Sequence, residues 1–192
     1  MKKYQHTAIL IVFLFLAAYW LYIDGVDTIV RMAVDYGMSI GFDMANLLTA
    51  LLITQFVGFP AAVGFGFLGK RIGAKAGILI AIGVYIMVTI WAVFMDQVYE
   101  FYGLAVVIGL VQGGVQSLSR SFYARIIPAN KSAEYFGFYN MLGKFAAVLG
   151  PLMIGLVGLT TGSPRLSLLS IVILFGAGGV LLYFVDEAEG AR

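Results

Sequence analysis

Charged residues occur inside the first long apolar segment of the chain, on one face of the helix that it would form. Asp24, Asp27 and Arg31 are spaced i, i+3 and i+7, which places them on a single stripe. Counted from Thr7, Asp24 lies about 25 Å along the helix, where an ionisable side chain is costly unless it faces protein or water. We therefore expect Asp24 to face a cavity, with Asp27 as a second candidate. Arg31 is either a third candidate or a solvated charge at the outer helix end.

A lysine lies deep within the fifth apolar segment. Lys144 follows Glu134 by ten residues, or about 15 Å of helix, which is too deep for its ammonium group to reach either surface easily. Asn140 precedes Lys144 by one helical turn, with Tyr139 alongside. Lys144 either binds an anionic group in a cavity or ties its helix to a carbonyl or to Asp24 of a neighbouring helix.

Amide side chains mark the middle of two other segments. Gln112 and Gln116 are one turn apart in the fourth segment, and Gln55 lies at a matching depth in the second. Hydrogen bonding between helices and contact with a bound solute remain equally open for Gln112 and Gln116, and Gln55 is a further candidate. Gly109 and Gly113 form a G-x-x-x-G pair, which predicts close packing against another helix.

The composition excludes most other classes of protein. The 192 residues are 61% hydrophobic and 11% charged, with a mean hydropathy of +0.97, whereas a soluble domain has roughly 25% charged residues. A soluble globular domain, a disordered chain and a nucleic-acid binder are excluded. The chain has no cysteine and one histidine, His6, so we expect no metal site, no cofactor and no enzymatic activity. The G-x-S-x-G pattern at Gly37–Gly41 falls in a predicted linker without the strand and histidine that a hydrolase needs.

Six apolar segments are each long enough to cross a bilayer, which takes about 20 residues. They predict an all-α integral membrane protein, and Pro60 and Gly150–Pro151 predict bends in the second and fifth helices. The predicted spans are 7–34, 44–68, 76–95, 101–119, 135–159 and 166–185.

The distribution of Lys and Arg predicts the orientation. With a cytoplasmic N-terminus, nine basic residues lie on the inner side and two, Arg31 and Arg165, on the outer side. This bias predicts a multi-pass protein of the inner (cytoplasmic) membrane with both termini in the cytoplasm. No A-x-A cleavage site follows the first segment, so we expect it to remain as a helix. The inner residues are Lys2, Lys3, Lys70, Arg71, Lys75, Arg120, Arg125, Lys131 and Arg192.

The loop after the second segment resembles a loop motif of the major facilitator superfamily, of the form G-x-L-a-D-R-x-G-R-K. The sequence GFLGKRIGAK departs from it at Lys70, which replaces an acidic residue, and at Ala74, which replaces a basic one. The matching positions are Gly66, Leu68, Arg71, Gly73 and Lys75.

Three longer blocks resemble the C-terminal half of one transporter family, that of the vacuolar amino-acid effluxer of autophagy. The blocks are Tyr22–Val34, Gly109–Pro128 and Glu134–Leu152. The resemblance implies half of a major facilitator fold, with one six-helix domain over residues 1–192. Its two inverted three-helix repeats would cover about 7–95 and 101–185.

The resemblance also implies a function, namely secondary transport of a small solute, such as an amino acid, by alternating access. The lipid bilayer, an N-terminal transporter half or a second copy of the chain, and a small-molecule substrate are the implied partners. A zwitterionic amino acid would place its carboxylate near Lys144 and its ammonium near Asp24, which alternatively carries a coupling proton. The alternative functions are a non-transporting membrane scaffold or assembly partner, and a channel, for which the polar midplane residues are few.

Overall fold

The computed structural model describes the backbone of residues 2–186 and the side chains of residues 9–186 except residue 129. Within this part of the chain, six helical segments are long and apolar enough to span a membrane, which confirms the predicted all-α fold. The side chains of Lys2, Lys3 and His6, and the whole of Arg192, lie outside the described residues. The spans are Ile9–Ser39, Met44–Ile72, Ala74–Phe94, Val98–Ile126, Ser132–Thr161 and Pro164–Phe184.

The first four spans are single helices, whereas the fifth and sixth each consist of two helices in sequence. A short 3-10 turn, Ala129–Lys131, precedes the fifth span. The helices are α1 (Lys2–Ser39), α2 (Met44–Ile72), α3 (Ala74–Phe94), α4 (Val98–Ile126), α5 (Ser132–Phe145), α6 (Leu149–Thr161), α7 (Pro164–Leu169) and α8 (Ile171–Phe184).

Several helices extend beyond the predicted spans. Helix α1 continues to Ser39 and includes most of the predicted linker, and α4 continues to Ile126 instead of ending at Ser119. The hydropathy pattern finds only the length of helix that needs hydrocarbon, whereas a helix continues into water wherever its backbone hydrogen bonds are maintained. Asp35 is therefore helical and exposed.

Helices α2 and α4 pack with their backbones in close contact. A Cβ atom on Gly109 would lie 2.8 Å from the carbonyl oxygen of Thr54, and one on Gly113 would lie 2.8 Å from the Cβ of Ala62. This confirms the packing role predicted for the glycine pair. Pro60 lies inside α2, which has no interruption there.

Helix α1 forms the centre of the bundle. In its span, 61% of the most apolar window is buried, against 6% for α2 and 11% for the α5–α6 span. Tyr22 of α1 is fully buried, and its hydroxyl lies 2.7 Å from the hydroxyl of Ser119 on α4. Helices α2, α5 and α6 therefore present most of their apolar surface to lipid or to another protein.

The fifth span is interrupted before the predicted bend. Helix α5 ends at Phe145 and α6 begins at Leu149, and Ala147 between them has a φ of 80°, a left-handed conformation that costs an alanine about 1 kcal/mol. Pro151 is the third residue of α6, a position in the first turn where no helical partner exists for the missing N–H. The chain therefore breaks ahead of the proline instead of bending at it.

Candidate functional site

A polar cavity of about 800 Å³ lies between α1, α2, α4 and α5. Three of these helices contribute hydrogen-bonding or charged side chains to its wall, and α2 contributes a small residue that leaves space. The lining residues are Tyr19, Ile23, Asp27, Ala62, Gly113, Gln116, Ser117, Arg120, Tyr139, Asn140, Gly143 and Lys144.

The cavity brings together five of the residues that the sequence analysis proposed as candidates. These residues come from three helices that are far apart in the sequence, so that only the packing of the bundle makes them neighbours. They are Asp27, Gln116, Tyr139, Asn140 and Lys144.

The charges in the cavity wall are not paired with one another. Arg120 and Lys144 are exposed and Asp27 is half-buried. Among the side chains that the structure describes, no ion pair within 4.0 Å joins Asp27 to either cation. The cavity can therefore offer a carboxylate to a cationic group and two cations to an anionic group of one solute.

One wall of the cavity is aromatic. The rings of Tyr19 and Tyr139 stack with their centroids 4.2 Å apart, and Tyr139 also stacks on Tyr123 at 5.0 Å. The hydroxyl of Tyr123 donates a hydrogen bond to the backbone carbonyl of Tyr135 at 3.1 Å. This stack joins α1, α4 and α5 behind the polar groups and restricts the side-chain conformation of Tyr139.

Asp24 does not line the cavity, which differs from the sequence-based expectation. Its side chain is fully buried, and its carboxyl oxygens accept hydrogen bonds from the backbone N–H groups of Val148, Leu149 and Gly150 at 3.2, 3.0 and 2.7 Å. Thr28 donates a fourth at 3.2 Å. A buried carboxyl group requires donors, and the free N–H groups at the start of α6 supply them.

Three other candidates also lie outside the cavity lining. Arg31 and Gln55 are exposed, and Gln112 is half-buried. Gln112 precedes Gln116 by one turn, but only Gln116 reaches the cavity. Arg31 therefore fits the alternative interpretation of a surface charge at the outer end of α1.

Three polar cavity residues were not predicted from the sequence: Tyr19, Ser117 and Arg120. Arg120 was counted only as a charge on the inner side, because the predicted fourth span ended at Ser119. The sequence does contain a signal: Gly113, Gln116 and Arg120 follow a spacing of three and four residues, which continues one helix face past the predicted end.

The resembling loop motif has a structural role at the end of the bundle where α2 is followed by α3. Gly73 has a φ of 87°, which glycine adopts without strain between α2 and α3. Lys75 donates hydrogen bonds to the backbone carbonyls of Tyr183 and Val185 at 2.8 and 2.6 Å, so it caps the C-terminal end of α8. A Cβ atom on Gly66 would meet no neighbour within 4 Å, and Arg71 is exposed.

A second cavity, of about 60 Å³, is apolar and lies between α1, α2, α3, α4 and α7. Its two threonine hydroxyls are already used, because Thr54 donates to the carbonyl of Ala50 and Thr89 to that of Tyr85. No group of three His, Asp or Glu side chains able to hold a metal ion occurs in the described part of the chain.

The six spans and the polar cavity between α1, α2, α4 and α5 define the class of protein: a polytopic α-helical membrane protein with half of a major facilitator fold. The family model described as "Vacuole effluxer Atg22 like" matches residues 3–192. The chain belongs to this family.

Relatives with curated descriptions agree with that assignment. An uncharacterized MFS-type transporter, YxiO, of Bacillus subtilis (strain 168) is 42% identical over 175 residues, which is 91% of this chain and 41% of the relative. Autophagy-related protein 22-1 of Aspergillus niger is 27% identical over 197 residues, covering 94% of this chain and 32% of the relative. Autophagy-related protein 22 of Gibberella zeae is 27% identical over 204 residues, covering 98% and 31%. The chain thus spans between about a third and two fifths of the length of these relatives.

Proposed function

We propose that this chain is the C-terminal half of a secondary transporter that moves a small solute by alternating access. The observation that carries the proposal is the cavity in which Asp27 of α1 and Lys144 of α5 face the same space. Buried or membrane-embedded charges are retained where they bind a solute or couple its movement to an ion. Membership of the effluxer family supports the same activity.

The solute that best fits the cavity is an amino acid. Its carboxylate would lie near Lys144 and its ammonium near Asp27, with the amides of Gln116 and Asn140 available as further hydrogen-bonding groups. This assignment moves the ammonium partner from Asp24 to Asp27, because Asp24 already accepts four hydrogen bonds. Arg120 adds a second positive charge for the carboxylate.

A second six-helix unit would complete the transporter. In the proposed arrangement, α1–α3 and α4–α8 are inverted repeats, and the cavity lies against either a separate N-terminal half or a second copy of this chain. The low burial of α2 and of the α5–α6 span, 6% and 11% of their apolar windows, supports a partner on that side.

The proposed orientation places both termini in the cytoplasm and the bundle in the inner (cytoplasmic) membrane. The exposed basic residues Lys70, Arg71 and Lys131 lie at one end of the bundle, where α2 ends and α5 begins. That distribution is typical of the cytoplasmic side. Arg165 begins the sixth span at the opposite end.

Uptake into vesicles tests the proposal. The chain is reconstituted together with the six-helix N-terminal half, and uptake of a mixture of radiolabelled amino acids is measured. We expect Lys144→Gln and Asp27→Asn each to reduce uptake by about tenfold or more, since each removes a charged partner of the solute. Asp35→Asn is the matched control, because Asp35 is an exposed carboxylate on the same helix as Asp27.

The outcomes separate this function from the scaffold alternative. Normal uptake in both cavity variants would remove these residues from the transport site. A stable complex with the second half, but no uptake of any solute by the native protein, would favour an assembly partner, for which the close glycine packing of α2 on α4 already gives a precedent in this fold.

A further inference from the structure

The N-terminal end of α6 is held by a side chain from another helix. Asp24 of α1 accepts hydrogen bonds from the N–H groups of Val148, Leu149 and Gly150. A helix N-terminus leaves four backbone N–H groups without helical partners. Asp24 is separated from these residues by more than 120 positions in the sequence, so the contact joins the first span to the middle of the fifth.

Asp24 and Pro151 together account for all four of those groups. The first three N–H groups bind the Asp24 carboxyl oxygens, and the fourth position is Pro151, which has no N–H. The next residue, Leu152, already donates to the carbonyl of Val148 at 3.2 Å. The sequence around the break therefore needs one carboxyl group from outside the helix, and Asp24 supplies it.

The surrounding residues fit this contact closely. A Cβ atom on Gly150 would lie 2.0 Å from the hydroxyl oxygen of Thr28, so only glycine allows α6 to approach α1 this far. Ala147 is left-handed, with a φ of 80°, and such a conformation persists only where neighbouring contacts hold it. The Asp24 cap on the two following residues, Val148 and Leu149, is one such contact.

The break lies directly after the proposed solute-binding cation. Lys144 is the penultimate residue of α5, and the chain leaves the helix after Phe145. We propose that Asp24 is a positioning residue: by holding the start of α6, it fixes the break and thereby the position of Lys144 in the cavity. The effect of Asp24 on transport depends on the function proposed above. Its role in holding the start of α6 does not depend on that function.

Hydrogen exchange measures the structural role. In the reconstituted two-half protein, Asp24→Asn replaces one acceptor oxygen with an NH₂ group that faces the same N–H donors. We expect amide exchange in a peptide covering residues 143–152 to accelerate on the order of tenfold, as for loss of a helix N-cap. A peptide from α4 covering residues 108–116 should not change. Asp35→Asn, on the same helix, is the control and should leave both peptides unchanged.

Kinetics of uptake separate positioning from direct contact with the solute. If Asp24 acts through Lys144, Asp24→Asn raises KM as Lys144→Gln does, and the double variant loses no more than Lys144→Gln alone. Additive losses would mean that Asp24 acts on the solute or on a coupling ion directly and would overturn the positioning role. Unchanged exchange at 143–152 would also overturn it, whether or not the native protein transports.

Two other variants keep the test decisive if Asp24→Asn does not fold. Thr28→Val removes one of the four donors to Asp24 and should give a smaller acceleration in the same peptide. Gly150→Ala adds a Cβ that would clash with Thr28 and should move the start of α6 away from α1. We expect it to accelerate exchange in the same peptide as Asp24→Asn does. If both variants leave exchange at 143–152 at the native rate, the contact does not hold the break.

Discussion

At the scale of single residues, two carboxylates one helical turn apart have different surroundings. Asp24 is fully buried and bonded to backbone N–H groups of α6, whereas Asp27 is half-buried in the wall of the polar cavity. Their stripe on α1 was evident from the spacing alone. The burial of each side chain was not evident from the spacing, because it depends on which neighbouring helix covers that part of the stripe.

The buried hydroxyl pair between α1 and α4 provides a test at this scale. Tyr22→Phe removes the hydroxyl that lies 2.7 Å from Ser119, while Ser119 keeps its bond to the carbonyl of Val115. We expect a loss of about 1 kcal/mol in stability, typical of one hydrogen bond, measured by thermal unfolding in detergent. Tyr99→Phe is the control, since Tyr99 is 71% exposed, and an equal loss in both variants would contradict the assignment.

At the scale of the helices, two contacts determine the shape of the cavity. The close approach of α2 to α4 places Ala62 and Gly113 where larger residues would fill it. The break between α5 and α6 ends the helix that carries Asn140 and Lys144. Small residues on α2 and α4 thus leave space for the cavity, and one of its charged residues, Lys144, lies near a helix end.

The glycine contact on α4 can be tested by adding one methyl group. Gly109→Ala brings a Cβ to 2.8 Å from the carbonyl oxygen of Thr54, a backbone atom that moves only with its helix. We expect a destabilisation of about 1–3 kcal/mol in thermal unfolding. Gly103→Ala on the same helix meets its first neighbour at 3.9 Å and should be neutral. A neutral Gly109→Ala would mean that α2 and α4 are less tightly packed than described.

At the scale of the whole molecule, burial is uneven. The apolar window of α1 is 61% buried, while those of α2 and of the α5–α6 span are almost uncovered. The cavity lies between the well-buried helices α1 and α4 and the sparsely buried helices α2 and α5. Under the proposed function, the sparsely buried face is the one that a second six-helix unit would cover.

The orientation in the membrane is tested by labelling single cysteines, since the native chain has none. Asn130, in the turn before α5, and Asp43, between α1 and α2, are both exposed. We expect a membrane-impermeant maleimide to label Asp43→Cys in intact cells and Asn130→Cys only after permeabilisation. The reverse pattern would place the termini outside.

The fold followed from the sequence to a large extent, and the site only in part. Apolar length predicted six spans, and the spacing of Gly109 and Gly113 predicted a close helix contact. The depth of Lys144 left open whether it lines a cavity or ties its helix to a neighbour, and in the structure it lies in the cavity wall. Arg120 was missed because hydropathy ends a span where the hydrocarbon ends, while the helix and its inward face continue.

The order and number of the spans are properties of the sequence by itself, since the cost of placing polar groups in hydrocarbon is paid segment by segment. The tertiary structure decided which residue of a polar stripe faces the cavity and which is buried against another helix. Asp24 caps α6 because a break more than 120 residues away brings free N–H groups to it. No local sequence pattern around Asp24 predicts these N–H partners, because they come close to Asp24 only after the helices have packed.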